Sequence, residues 1–139
     1  MDHGDHRHVI EILFHPILVH FPIAFYFLEL LLLIIWVKKS EPQYLHFAKL
    51  TFSLGYGFMI AALASGYIDA GGWANITGLV QRHFLGALSV LVLYNLRGAY
   101  WLKAKSGSKK FAAVQISGAL IGNILVGITG FYGGRLVYG

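Results

Sequence analysis

The chain has 139 residues, 57% of them hydrophobic and 12% charged, with a formal net charge of +5. Soluble domains carry roughly 25% charged residues, so this composition excludes a water-soluble globular fold, and the length suits a single domain. With no cysteine in the chain, disulfides and thiolate-held clusters are excluded as well.

Four apolar stretches follow one another, at about 17–37, 44–68, 79–102 and 111–132. Each reaches the ~20 residues that a helix needs to cross ~30 Å of hydrocarbon. The expected fold is therefore all-α: an integral membrane four-helix bundle, up-down-up-down, forming one transmembrane domain over residues 1–139. Ahead of the first span, His3, His6 and His8 read as a polar tail, with loose metal binding as the other reading. A cleavable signal peptide is not expected, because no small-residue cleavage site follows the first apolar run. Pro16 suits the first helical position, where its missing N–H would be unpaired anyway. Pro22, one turn later, is expected to kink span one. Ser40-Glu41-Pro42 makes the first turn, Asp69-Ala70-Gly71-Gly72 stops span two, and Ser106-Gly107-Ser108 divides spans three and four. Gly133-Gly134 is expected to end span four.

The positive charge is sorted by loop. Lys38, Lys39, Lys49, Arg97, Lys103, Lys105, Lys109 and Lys110 flank two of the breaks, whereas only Arg7, Arg82 and Arg135 belong to the opposite side. Basic loops stay cytoplasmic, so both termini are expected outside the cytoplasm and the chain in the inner (cytoplasmic) membrane as a multi-pass protein. Nucleic acid is not an expected partner, since a basic binding face would gather on one folded surface with exposed aromatics.

The unusual polar groups gather at the other end. His15, His20, Asp69, Arg82, His83 and Arg135 all fall where spans one and three begin and spans two and four finish. Histidine is costly within a span, so an intramembrane imidazole is by default a functional-site hypothesis. His20 and His83 sit about one turn inside spans one and three. If those spans are diagonal, their axes are roughly 11–14 Å apart, a gap that two inward imidazoles can bridge around one haem iron. Small residues nearby, Gly66 on span two, Gly86 on span three and Gly118, Gly122, Gly127 and Gly130 on span four, leave room for a flat macrocycle or serve close helix packing. Arg82 and Arg135 suit its propionates. Glu29 and Asn123 lie deep in the hydrocarbon. Glu29, half a helical turn round from His20, is expected to be neutral or hydrogen-bonded, first as a helix clamp and otherwise in proton passage.

The phrase His15-Pro16-Ile17-Leu18-Val19-His20-Phe21-Pro22-Ile23 resembles the opening signature of the DUF2231 family of small bacterial and archaeal membrane proteins. Gly66-Tyr67-Ile68-Asp69 resembles that family's Gly-x-x-Asp, and His83 falls where the family carries a third-span histidine. Gly130-Phe131-Tyr132-Gly133-Gly134-Arg135-Leu136-Val137-Tyr138 is similar to its closing phrase. The resemblance implies a four-helix membrane domain. Some relatives are joined to Rieske-type iron–sulfur domains, which implies electron transfer by association only.

The first functional expectation is a membrane b-type cytochrome-like electron-transfer protein or subunit, more an accessory subunit than a stand-alone enzyme. Its haem b is held by His20 and His83, with His15, Asp69, Arg82, Arg135, Gly86 and Gly66 around it. A quinone or a redox protein would exchange electrons with it, within a larger membrane complex or a homo-oligomer. The second expectation is a transition metal ion on His20 and His83 with His15 and Asp69, where imidazole suits several metals alike. The third is a non-catalytic assembly subunit whose histidines brace the bundle.

Overall fold

A computed structural model describes the backbone of residues 6–139 and the side chains from Ile17 onward. His15 and the His3, His6 and His8 group therefore lie outside the described residues. Four helices follow in order, α1 (His6–Lys39), α2 (Pro42–Asp69), α3 (Gly78–Lys103) and α4 (Lys109–Tyr138), with one 3-10 turn at Trp73–Asn75. All four are long and apolar enough to cross a membrane, α1 over Ile17–Lys39. Helices suit that environment because lipid offers no partner for an unpaired backbone N–H or C=O.

The turns follow the local chemistry. Pro42 stands at the first positions of α2. Ser108 caps α4, its hydroxyl accepting a hydrogen bond from Phe111 N at 3.0 Å. Gly71 and Gly72 take φ of 75° and 101° at the end of α2, a conformation that glycine adopts without a Cβ penalty. Two expectations are corrected. α1 does not begin at Pro16 but runs through both prolines. Gly133-Gly134 does not end α4, which continues to Tyr138. Proline is tolerated within membrane helices where neighbouring groups satisfy the carbonyl it frees, and glycine is a common packing residue there.

α1 packs most extensively on α2, and α3 on α4; α1 also meets α4, whereas α2 only lightly touches α3. The helices thus run round a square with α1 and α3 on a diagonal. Tyr26, Leu33, Ala48, Tyr94, Phe111 and Ala119 are among the side chains filling the centre. The outer faces are apolar, as at Phe27, Leu50, Leu96 and Ile124, and meet lipid in a bilayer.

An ion pair crosses the diagonal. Arg97 of α3 donates from both terminal nitrogens to the Glu29 carboxylate of α1, from Nη1 to Oε2 at 3.1 Å and from Nη2 to Oε1. Glu29 is fully buried and Arg97 only 3% exposed. Arg97 Nε donates to Gln115 Oε1 of α4 at 3.1 Å, and Gln115 Nε2 donates back to the Arg97 carbonyl at 3.3 Å. The guanidinium also lies 5.2 Å from the Phe52 ring of α2 and 4.8 Å from the Tyr94 ring. All four helices therefore meet at one guanidinium. Arg97 is not a loop charge, which corrects its place among the flanking basic residues. Lys38, Lys39, Lys49, Lys103, Lys105, Lys109 and Lys110 remain exposed at that end.

The hydrogen-bonded clamp expected of Glu29 is present, and its partner is the Arg97 guanidinium. Glycines make room for it. A Cβ on Gly118 would lie 2.8 Å from Arg97 Cδ, and one on Gly122 would lie 2.8 Å from Tyr94 Oη. The next layer is aromatic: Tyr26 stacks on Tyr94 at 3.7 Å and its hydroxyl donates to Met59 Sδ at 3.3 Å. Asn123 of α4 donates to the Tyr26 carbonyl of α1 at 3.3 Å.

Removing one member of a buried pair strands the other charge. Arg97→Ala or Glu29→Ala is expected to cost about 3–5 kcal/mol, whereas Glu29→Leu with Arg97→Met is expected to recover most of it. Gly118→Ala, which overpacks the guanidinium stem, is expected to cost about 1–3 kcal/mol. Reversible unfolding in mixed micelles measures all four variants, and losses within the roughly 0–1 kcal/mol of exposed pairs for Arg97→Ala and Glu29→Ala would contradict the clamp.

Candidate functional site

The up-down-up-down order brings the beginning of α3 beside the end of α4, and the two helices pack closely there. His83, in the second turn of α3, is half-buried, and its Nδ1 lies 2.9 Å from the Thr129 carbonyl oxygen of α4. A carbonyl can only accept, so Nδ1 carries the proton. In the neutral ring this leaves the in-plane lone pair on Nε2.

The approach depends on a glycine. A Cβ on Gly133 would stand 2.9 Å from His83 Cε1 and 3.1 Å from Nδ1. Any side chain at 133 would push the imidazole off the α4 backbone. One turn along α3, Gly86 faces Thr129, whose side chain fills the space that a Cβ would need. Thr129 is itself held by a hydrogen bond from Oγ1 to the Leu125 carbonyl at 2.8 Å. Gly86 thus serves the close packing of α3 on α4, and the interior below His83 is occupied by the chain's own side chains.

The other site residues share this end without all converging. His20 is exposed on α1. Its separation of nine residues from Glu29 puts it half a turn round from the buried face, since 3.6 residues complete a turn. Arg82, Asp69 and Arg135 are exposed, and Gly66 is half-buried on α2. Among the described side chains no three His, Asp or Glu groups converge as a metal-ion site. His83, Thr129 and Gly133 come together at this end. Thr129 and Gly133 were not singled out from the sequence: a backbone carbonyl leaves no residue-type signal, and Gly133 read as a helix terminator.

Between α2 and α3, where packing is light, an apolar groove of about 560 Å³ is lined by Ile60, Leu63, Tyr67, Trp73, Phe84 and Leu88 among others. Trp73 closes one end, edge-on to Phe84 at 5.6 Å and to Tyr67 at 5.3 Å. The groove has no imidazole or charged group in its lining, so it is separate from the histidine chemistry.

A family model described as Predicted membrane protein (DUF2231) matches residues 11–139. No curated protein and no solved structure matches the chain.

In nitrogen-15 spectra of the neutral His83 ring, Nδ1 is expected to resonate as the protonated nitrogen and Nε2 as the bare one. Gly133→Ala is expected to abolish that preference by lifting the ring from the Thr129 carbonyl. A wild-type ring protonated at Nε2 would contradict the geometry.

Proposed function

The chain belongs to the DUF2231 family of membrane proteins, and from that premise we propose a small multi-pass electron-transfer protein or subunit. One haem b would be held at the histidine end, by His83 and His20. The supporting observation is the bond from His83 Nδ1 to the Thr129 carbonyl over Gly133. Metal-ligating histidines characteristically donate their second ring N–H to a carbonyl or carboxylate, which fixes the tautomer and raises the basicity of the other nitrogen.

The other residues named for the site are of types that haem proteins use, with His20 on the exposed face of α1 and not turned into the bundle. His20 supplies an imidazole from a second helix at the same end. Arg82 and Arg135, both exposed there, suit two carboxylates by bidentate hydrogen bonding. Because Thr129 fills the layer beside Gly86, the group would sit at the rim of the bundle and not along its axis. When bound, haem supplies one-electron redox chemistry whose potential follows axial ligands, hydrogen bonding and burial. The chain contributes orientation and basicity at His83 Nε2, and positive charge at the rim. The lysine-rich end favours the cytoplasmic side, so the histidine end would face away from the cytoplasm toward a quinone or a redox protein.

Absorption spectroscopy on protein purified from haem-replete cells tests the reading. About one haem per chain and a dithionite-reduced b-type spectrum are expected, with haem lost in His83→Ala and in His20→Ala while the helical fold persists. A colourless protein that takes up no haem would overturn the assignment. Bound metal without porphyrin would replace it with a transition-metal site, and full haem retention in His20→Ala would remove that residue as a ligand.

A further inference from the structure

The lysine-rich end carries a recess of its own. Pro42, Leu45, His46 and Lys49 from the first two turns of α2 face Trp101 near the end of α3 and Ser106 in the following turn, around about 250 Å³. Trp101 is a rigid floor, 5.5 Å from the Phe52 ring and 5.7 Å from the Phe111 ring. Lys49 and His46 are exposed at the rim.

We propose that this recess binds the phosphate headgroup of an anionic phospholipid. Three observations commit it to a lipid. α2 begins at Pro42 and α3 ends at Lys103, so the recess stands at the level where the spans leave the hydrocarbon. Its polar groups, Lys49, His46 and the Ser106 hydroxyl, include donors and a cation suited to phosphate oxygens. Leu45 in the wall and the 79% exposed Leu102 beside it continue into apolar surface that a diacyl tail covers and a free anion leaves bare.

Charge complementarity points the same way. Among the described residues Glu41 is the one acidic side chain at this end, and it already accepts a hydrogen bond from Gln43 at 2.7 Å. Exposed lysines surround it, and basic pockets between spans on the cytoplasmic side attract anionic headgroups. Lys39 is partly engaged with the Tyr44 ring, 5.6 Å away. Lys49 belongs to the recess itself. This inference is independent of the cofactor reading, since the two sites are at opposite ends of the bundle.

Native mass spectrometry of the full chain, released from nanodiscs of phosphatidylglycerol and phosphatidylcholine in equal amounts, reads the retained lipid. The wild type is expected to keep phosphatidylglycerol over phosphatidylcholine, and Lys49→Gln with His46→Gln to reduce that preference by about tenfold. Lys109→Gln with Lys110→Gln, outside the recess, is expected to reduce that preference clearly less than the recess variant does. Equal retention of the two lipids by the wild type would overturn the proposal without reference to any variant. So would equal loss in both double variants, which marks diffuse attraction. Displacement of the lipid by inorganic phosphate alone would assign the recess to a free anion and reject the lipid.

Discussion

Hydrocarbon cannot solvate a charge, so a guanidinium inside a four-helix bundle dictates its surroundings. Arg97 satisfies that demand with the Glu29 carboxylate, the Gln115 amide and the faces of Phe52 and Tyr94. These groups come from all four helices. The pair, together with the Tyr26–Tyr94 stack, joins the two diagonal helices and thereby sets their relative depth. A buried ion pair is weak evidence for net stability, because desolvation offsets much of the attraction, but its geometry can specify one arrangement among many apolar ones. In a bundle whose helices are apolar nearly all round, that selectivity is the clamp's main contribution.

The same centre explains the glycines of α4. Gly118 and Gly122 lie against Arg97 and Tyr94, so small residues at four-residue spacing here admit large side chains from α3 as well as a close helix backbone. Gly133 extends the pattern to the histidine end, where the side chain admitted is an imidazole. The Tyr94 hydroxyl, fully buried over Gly122, has no hydrogen-bond partner among the described residues. Burying a bare hydroxyl costs roughly 1–3 kcal/mol, which the Tyr26 stack and the guanidinium contact help to offset.

Much of the fold was legible. Four apolar runs of sufficient length, separated by Ser-Glu-Pro, Asp-Ala-Gly-Gly and Ser-Gly-Ser, point to four helices and to where three of the breaks fall. The ends of α1 and α4 were less legible, because Pro16 and Gly133-Gly134 carry the signatures of helix boundaries in water and lose that meaning in lipid. Arg97 was misplaced for a related reason: counting basic residues by loop ignores depth. Its position six residues inside Lys103, together with Glu29 as the opposite charge at depth, is the signal that pairs them. At the candidate site the histidines were legible as residue types, but the contact orienting His83 was not, because Thr129 acts through its backbone.

If the Glu29–Arg97 pair sets the diagonal, the separation of α1 and α3 at the histidine end must depend on it. The chain has no cysteine, so spin labels can be placed cleanly at exposed Ile23 on α1 and Leu85 on α3, and their distance read by electron–electron resonance in nanodiscs. A narrow distribution in the otherwise native chain that broadens or shifts with Glu29→Gln and Arg97→Gln together is the expected result. An unchanged narrow distribution in that variant would contradict the claim that this ion pair holds the bundle in register.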